Sequence, residues 1–288
     1  MGATREIGPY RLLGVLGEGA TATVFLAQHE ETGERVVLKH LHPYLAMDQT
    51  FLERFWAEAA VARRLRHPNL VAVRESFEDE GDQFLVMEWV DGPSLREVLT
   101  RGRLHASLAL QVVSEVLVGL VQLHRAAEKG APDGLLHRDI SPENVLLAAT
   151  GEVKLTDLGL SAARAGREGK PGYLAPELLE GGSASVKSDV FAVGVVLREA
   201  MTGAREGDAA TGEPALDALL AQVLAREAGL RPSASRFFRE LEEVRSTPRL
   251  FATRESVAGY LRHLGITKRP AGLRDTDLLT TRGRKPGK

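Results

Sequence analysis

The most informative segment of this chain reads His137-Arg138-Asp139-Ile140-Ser141-Pro142-Glu143-Asn144-Val145-Leu146-Leu147. Two further segments follow it in order, Thr156-Asp157-Leu158-Gly159 and Ala175-Pro176-Glu177. Together they supply two carboxylates, Asp139 and Asp157, and one amide, Asn144. Phosphoryl transfer uses these groups at this spacing, one aspartate to take a hydroxyl proton and the other two side chains to hold metal on the phosphates. Each segment alone is weak evidence, but chance would almost never assemble all three in this order.

Length and composition exclude several classes of protein. The 288 residues are 43% hydrophobic, which is enough to bury a core in one large or two smaller lobes. The absence of cysteine excludes disulfides and thiolate zinc sites, and the eight histidines are scattered. We therefore expect any metal to arrive with the substrate.

Charge and apolar pattern restrict the partners. A net charge of −2 argues against nucleic acid. We expect no uninterrupted apolar run long enough to cross a bilayer and no signal peptide at Met1-Gly2-Ala3-Thr4-Arg5, so the predicted location is cytoplasmic, with no membrane partner. Only the tail after Ile266 is locally basic, and its composition predicts a disordered end.

A strand-rich front precedes a helix-rich back. Alternating and β-branched runs predict strands at 10–16, 23–28, 35–39, 70–73 and 84–89. Apolar residues at helical spacing predict a helix that a capping box of Thr50 and Glu53 opens, and longer helices over 108–124 and 190–201. Ser94 and Glu97 predict a second capping box.

From about Tyr10 to Val244 the chain resembles a eukaryotic-like (Hanks-type) protein kinase of the soluble bacterial serine/threonine sort, because the motifs occur in family order and at family spacing. The resemblance implies an α+β, two-lobed protein-kinase fold with ATP and Mg²⁺ bound between the lobes. It divides the chain into a small β-rich N-lobe with one main helix (1–90), a larger helical C-lobe (91–245), and a C-terminal helix with a basic flexible tail (246–288).

The same resemblance assigns a nucleotide site. The glycine-rich loop that lets backbone amides approach phosphate consists of Leu16, Gly17, Glu18, Gly19 and Ala20. Such a turn alone is more often a plain hairpin, and Lys39 alone would be a surface lysine whose head group faces solvent. In a kinase, Lys39 grips the α- and β-phosphates and pairs with Glu58. The residues that would surround adenine are Val24, Val37, Met87, Glu88, Val90 and Leu146.

The back half carries the implied chemistry. Asp139 is the base that orients the acceptor hydroxyl, and Asn144 and Asp157 are hard oxygen ligands suited to Mg²⁺. The resemblance also implies that His137 and Leu158 form a packed spine, that Asp189 holds the catalytic-loop backbone, and that Glu177 and Arg231 form an ion pair.

Two departures from the family pattern affect catalysis. Ser141 stands where serine/threonine kinases carry a lysine, and Lys170 stands where they carry a threonine. Both family residues meet the catalytic aspartate, so Ser141 and Lys170 are predicted neighbours. We expect that the catalytic cation has moved to Lys170, the alternative being that Lys170 points to solvent. Glu143 argues against a tyrosine kinase, which would have arginine there.

The activation segment is poor in acceptors for phosphate. Between Asp157 and Glu177 the hydroxyl-bearing residues are Ser161 and Tyr173, and Tyr173 falls where the family has a packing tyrosine. We therefore expect activity that does not depend on phosphorylation there. Two interpretations of Glu168 stay open, a fixed negative charge in place of the phosphate and, more commonly, an exposed loop glutamate. Autophosphorylation is expected in the tail, at Thr276, Thr280 and Thr281.

Three interpretations follow from the sequence. The first is an active serine/threonine protein kinase acting on protein hydroxyls. The second is a pseudokinase that serves as a nucleotide-binding scaffold, which the change at Ser141 favours and the retained metal ligands oppose. The third is a small-molecule kinase, which the protein-substrate features at Ala175-Pro176-Glu177, Asp189 and Arg231 oppose.

Overall fold

The structure, a computed structural model, describes residues 6–128, 135–158, 170–207 and 210–266. These residues form two compact units, one of residues 6–66 with 72–89 and one of residues 67–71 with 90–266. The first unit is mainly β-sheet and the second mainly helical. The predicted α+β class, with a β-rich unit followed by a larger helical unit, is confirmed.

A six-stranded antiparallel sheet forms the first unit, in the order β1-β2-β3-β4-β6-β5. Its strands are β1 (Glu6–Ile7), β2 (Tyr10–Glu18), β3 (Ala22–His29), β4 (Arg35–Leu41), β5 (Val73–Asp79) and β6 (Asp82–Glu88). Alternate residues of the central strands, such as Phe25, Leu38 and Val86, build an apolar core on one face. Val24, Val37 and Met87 therefore lie on the other face, because neighbouring strand positions point to opposite sides.

Two helices complete the first unit, α1 (Pro43–Ala46) and α2 (Gln49–Ala62). The capping box predicted at Thr50 and Glu53 is wrong. The N-cap is Asp48, whose Oδ1 accepts the Phe51 amide at 3.1 Å, while Glu53 accepts from the Gln49 side chain at 3.3 Å. Aspartate is as good an N-cap as threonine, and the extended backbone of Asp48 places its carboxylate over the first turn.

The strand predicted at 70–73 is also misplaced. Strand β5 begins at Val73, whereas Leu70 and Val71 belong to the second unit. There Leu70 forms a parallel bridge to Leu155, and the Val71 amide donates to the Leu155 carbonyl at 2.8 Å. An apolar run alone does not indicate which sheet it joins.

The second unit holds a short hairpin, seven α-helices and three short 3-10 helices within the described residues. The hairpin is β7 (Val145–Leu147) with β8 (Val153–Leu155). The helices are α3 (Leu95–Leu99), α4 (Ala106–Glu128), α5 (Pro176–Leu179), α6 (Val186–Thr202), α7 (Pro214–Val223), α8 (Ala234–Arg245) and α9 (Arg254–Leu264). The capping box at Ser94 and Glu97 is confirmed, with reciprocal hydrogen bonds of 2.7 and 3.2 Å.

Helix α4 is the central element of this unit. Over 106–125 it is long and apolar enough to cross a membrane by length and composition, although polar residues such as Gln111 and Glu115 interrupt the apolar run. About two thirds of that span is buried, in packing against α6, α8 and α9. A core helix meets the same criterion, so the finding is weak evidence for a membrane span.

Gly92 allows the chain before α3 to lie against β7. The Leu147 amide donates to the Pro93 carbonyl at 2.9 Å, and the Ala149 amide donates to the Asp91 carbonyl at 2.8 Å. A Cβ atom on Gly92 would stand 1.9 Å from the Leu147 carbonyl oxygen, which is backbone and cannot rotate away.

We predict that Gly92→Ala lowers the free energy of unfolding by about 1–3 kcal/mol, because the added methyl forces two backbone segments apart. Urea unfolding measures this. Gly229→Ala is the matched control, since its Cβ would meet nothing within 4 Å. Equal unfolding midpoints for the two variants would contradict the close approach.

Candidate active site

One buried carboxylate, that of Asp189, holds the loop that begins at His137. Asp189, in the first turns of α6, is 2% exposed. Its Oδ1 accepts the Arg138 amide at 2.9 Å, and its Oδ2 accepts the His137 amide at 3.0 Å and His124 Nε2 at 2.9 Å. Asp189 thus holds the loop backbone, as the sequence predicted.

The held loop contains unfavourable backbone conformations. The backbone of Arg138 has φ +64° and that of Asp157 has φ +61°, values that residues other than glycine rarely adopt. The neighbouring His137 is fully buried; its Nε2 donates to the Thr156 carbonyl at 3.0 Å and its Nδ1 accepts the Asp139 amide at 3.4 Å. Complete burial lowers the pKa of His137, so this imidazole links the two strained segments as a neutral group.

The hairpin β7–β8 brings the candidate metal ligands together. Asn144 directly precedes β7, and Asp157 lies two residues after β8. The Thr156 amide donates to the Asn144 carbonyl at 3.0 Å. The side-chain nitrogen of Asn144 donates to the Asp139 carbonyl at 2.7 Å and to Asp139 Oδ2 at 2.9 Å. Because the side-chain nitrogen of Asn144 donates to Asp139, the side-chain oxygen Oδ1 of Asn144 is the atom that could bind a cation.

Asp139 is a largely buried carboxylate beside this amide. Its Oδ2 accepts from Asn144, while its Oδ1 is buried and has no hydrogen-bond partner among the described residues. Burial raises the pKa of Asp139, and outweighs the Lys170 ammonium and the Asn144 amide, which lower it. A buried acceptor without a donor suits a hydroxyl that binds there.

Lys170 and Ser141 meet beside Asp139. Lys170 Nζ donates to Ser141 Oγ at 3.1 Å and lies 3.7 Å from Glu143 Oε2. Ser141 is fully buried, and Lys170 lines the same small pocket as Asp139 and Tyr173. The spatial proximity of these two exchanged residues agrees with the geometry that the relocated-cation hypothesis requires.

Arg96 is a residue of this region that the sequence analysis missed. From α3 its Nε donates to Glu143 at 3.1 Å and its Nη1 to Glu199 at 2.9 Å, while its Nη2 donates to the Tyr173 hydroxyl. Tyr173, 4% exposed, in turn donates to Glu199. An arginine one position before the Glu97 of a capping box carries no sequence signal of its own, because its two carboxylate partners lie 47 and 103 residues away.

A second ion pair anchors the segment that follows Lys170. Arg231, with 0% side-chain exposure, forms two 2.7 Å hydrogen bonds to Glu177. Its remaining donors reach the carbonyls of Ala225, Lys187 and Arg226. Burial opposes ionisation of Glu177, but Arg231 outweighs it and the pKa of Glu177 is lowered. The predicted pair is thus present and fully hydrogen-bonded.

The residues predicted to bind nucleotide are divided between the units. In the first unit, Val24, Val37, Lys39 and Met87 share the sheet face opposite the core. Glu58 lies on α2. The loop from Gly17 to Ala20 is exposed, and within it the Gly19 amide donates a hydrogen bond to the Ala22 carbonyl at 2.9 Å. Lys39 is only 6% exposed, so the expectation of a solvent-facing head group is wrong.

The remaining predicted residues lie as follows. Leu16 is half-buried near the end of β2. Glu88 is the last residue of β6, and its amide donates a hydrogen bond to the Ala72 carbonyl at 2.9 Å. Val90 and Leu146 are buried in the second unit. The residues Ser161, Glu168, Thr276, Thr280 and Thr281, with the whole tail, lie outside the described residues.

The described side chains do not provide a complete set of metal ligands, so a bound metal ion would also need ligands from the substrate. Among the described residues no group of three or more histidine, aspartate and glutamate side chains can hold one. Mg²⁺ commonly binds through one or two carboxylates together with substrate phosphates, and Asn144 with Asp157 fits that donor set.

Comparison with known proteins gives consistent matches. The family model described as the protein kinase domain matches residues 10–244. The serine/threonine-protein kinase PrkC of Bacillus subtilis is 34% identical over 81% of this chain and 35% of its own length. The tyrosine-protein kinase MasK of Myxococcus xanthus is 36% identical over 78% of this chain and 38% of its own length. The chain thus spans little more than a third of either relative.

A solved structure shares the fold. The kinase domain of Mycobacterium tuberculosis PknI, as a double mutant, superimposes with a TM-score of 0.70 at 27% identity. The match covers 84% of this chain and 98% of that one.

We predict that Asp189→Asn lowers the free energy of unfolding by about 2–3 kcal/mol, because an amide nitrogen would face an N–H donor that is buried beside it. Guanidinium unfolding provides the measurement. Asp217→Asn serves as control, since Asp217 accepts one amide, from Thr211 at 2.8 Å, and is half-exposed. A loss at Asp189 no larger than at Asp217 would contradict the central role of Asp189.

Proposed function

The chain belongs to the protein kinase domain family, and from that premise we propose that it transfers the γ-phosphate of ATP to serine or threonine hydroxyls of proteins. One observation carries the proposal: the Asp139 carboxylate is held by Asn144 while a lysine ammonium, that of Lys170, lies beside it. This arrangement provides a base, a metal ligand and a cation in one pocket, as phosphoryl transfer requires.

Asp139 receives the acceptor in this proposal. The hydroxyl of the protein substrate donates to Oδ1, the buried oxygen that no described residue contacts by a hydrogen bond. Asp139 would align that hydroxyl with the γ-phosphorus and accept its proton as the new O–P bond forms and the bond from phosphorus to ADP, the leaving group, breaks. Asn144 keeps the carboxylate oriented through its 2.9 Å hydrogen bond.

Asn144 and Asp157 would hold Mg²⁺. When bound with ATP, the ion supplies charge neutralisation on the phosphates. The protein contributes the position of the two ligands, which the β7–β8 hairpin and the Thr156 amide maintain. The amide oxygen of Asn144 and the carboxylate of Asp157 are hard donors of the kind that Mg²⁺ prefers.

Nucleotide binding is proposed for two sets of residues. In the first unit these are the loop from Leu16 to Ala20, the sheet face of Val24, Val37 and Lys39, and the strand end at Met87 and Glu88. In the second unit they are Val90 and Leu146. We propose that Lys39 binds phosphate and pairs with Glu58, which lies on α2 of the same unit.

Lys170 takes the role of the missing catalytic-loop lysine. Its ammonium is placed by the 3.1 Å bond to Ser141 and by Glu143, and its carbonyl accepts the Tyr173 amide at 3.1 Å. A cation there neutralises negative charge on the transferring group, while Ser141 supplies the hydroxyl of the exchanged pair. The pseudokinase alternative is disfavoured, because this contact supplies the cation whose loss at Ser141 motivated it.

The partners follow from the same proposal. Protein substrates with serine or threonine acceptors are expected, with autophosphorylation of the tail as a further possibility. We propose a cytoplasmic location and no nucleic-acid or membrane partner; the net charge of −2 supports the absence of nucleic acid.

We predict that the purified chain, with labelled ATP, Mg²⁺ and a generic basic protein, transfers label to serine or threonine. Asp139→Asn should lower the rate at least about 100-fold, because the acceptor hydroxyl loses its base. Phosphoamino-acid analysis of the product identifies the acceptor. Label on tyrosine would contradict the serine/threonine assignment, and transfer by the wild type no faster than by Asp139→Asn would overturn the proposed function.

We also predict a coupled response at Lys170 and Ser141. Lys170→Thr should slow transfer about 100-fold, because a preorganised positive group is lost. Adding Ser141→Lys to that variant should restore much of the rate, and the double-mutant cycle measures the coupling. If Lys170→Thr alone is harmless, the relocation of the cation is wrong.

A pH profile provides an independent readout of the same pair. The Lys170 ammonium lowers the pKa of Asp139, so removing it raises that pKa. Asp139 must be ionised to act as base, and activity is therefore lost as pH falls through this pKa. The acid limb of kcat/KM should lie at higher pH in Lys170→Thr than in the wild type.

A further inference from the structure

Tyr44 ties the glycine-rich loop to a helix of the same unit. Helix α1 begins at Pro43, and the Tyr44 hydroxyl in its first turn donates to the Ala20 carbonyl at 2.5 Å. Beside it, the His42 amide donates to the Thr21 carbonyl at 2.9 Å. The segment from 42 to 44 therefore holds two consecutive carbonyls, one at the end of the glycine-rich loop and one directly after it.

The segment that holds the loop is itself fixed. Leu45, next to Tyr44, is 6% exposed, and its amide donates to the His42 carbonyl at 2.9 Å. Pro43 restricts φ at the start of the helix. Tyr44 is 49% exposed, so its ring lies at the surface while the backbone that carries it is anchored.

The glycine-rich loop has little support from side-chain packing. Among the described residues, a Cβ atom on Gly17 would meet nothing within 4 Å, and one on Gly19 would meet the Ala22 carbonyl at 3.6 Å. Glycine backbones also adopt many conformations. The hydrogen bond from Tyr44 is therefore a contact that can fix the orientation of the peptide group after Ala20.

The orientation of this peptide group decides which of its polar atoms can meet a phosphate. The peptide bond from Ala20 to Thr21 is trans, and in a planar trans peptide the C=O and N–H groups point in opposite directions. Because the Ala20 carbonyl points to Tyr44 on α1, the Thr21 N–H is directed away from that helix. Backbone amides attract phosphate oxygens, so a half-turn of this peptide would replace a donor with a carbonyl oxygen that repels them.

We infer that Tyr44 is a positioning residue for nucleotide phosphates. Its hydroxyl keeps the Ala20 carbonyl turned toward α1 and thereby keeps the Thr21 amide available as a donor. Tyr44 acts through the backbone of the loop and does not itself contact the nucleotide. This inference rests on the proposed function and adds a residue to the nucleotide site of that proposal.

Binding of adenosine and of ADP to the full chain tests the inference. Tyr44→Phe removes the hydroxyl and keeps the ring. With Mg²⁺ present, the affinity for ADP should fall about threefold, because one hydrogen bond that orients the loop is lost. The affinity for adenosine, which has no phosphate, should stay unchanged. A merely structural contribution of Tyr44 would change both affinities alike.

Tyr260→Phe is the matched control. It also removes one tyrosine hydroxyl, but Tyr260 lies on α9 in the second unit. Both affinities should be unchanged in this variant. Hydrogen exchange provides a second readout: without nucleotide, the amides of residues 18–22 should exchange faster in Tyr44→Phe than in the wild type, because their segment is held by one hydrogen bond fewer.

The outcomes separate this inference from the proposed function. Unchanged or tighter binding of ADP by Tyr44→Phe, or an equal fall for ADP and adenosine, would overturn the role of Tyr44 and leave the kinase activity intact. Equal hydrogen exchange in the two proteins, or an equal loss of ADP affinity in Tyr260→Phe, would overturn it as well. No binding of either compound by the wild type would instead refute the proposed nucleotide site itself.

Discussion

The carboxylate of Asp189 is the constraint on which the candidate site depends. It is 2% exposed and accepts hydrogen bonds from two consecutive loop amides and one histidine. These contacts compensate for the unfavourable φ of Arg138, which turns the chain so that Asp139 enters the pocket. Because α6 is buried along most of its length, the anchor is part of the core, and the loop geometry depends on core packing rather than on the loop.

Around that anchor, charges are neutralised in pairs whose members come from distant parts of the chain. Arg231 with Glu177, and Arg96 with Glu143 and Glu199, join segments that are tens of residues apart. Removing one partner would leave a charge unpaired in a poorly solvated place, so such pairs specify the arrangement even where their net contribution to stability is small.

The proposed relocation of the catalytic cation rests on the proximity of Lys170 to Ser141 in the folded chain. A cation near Asp139 can come from any segment of the chain that places an ammonium group there. For Lys170, the backbone carbonyl accepts a hydrogen bond from the Tyr173 amide, and the ammonium donates one to the Ser141 hydroxyl. The carboxylate of Glu143 lies near the same ammonium. In this proposal the position of the cation is a property of the folded pocket, and the spacing of the motifs indicates only where to look for it.

Apolar periodicity and turn residues are local signals, so the order of most strands and helices could be predicted from the sequence. The resemblance of the motifs to those of protein kinases implied the fold class and the pairing of Glu177 with Arg231. The sequence did not identify Asp48 as the cap of α2, since Asp48 and Thr50 are both good caps and only the backbone path decides between them. It also missed that Leu70 joins β8, that Lys39 is buried and that Arg96 bridges two glutamates. These features follow from the three-dimensional structure alone, because each depends on which distant segment of the chain supplies the neighbouring atoms.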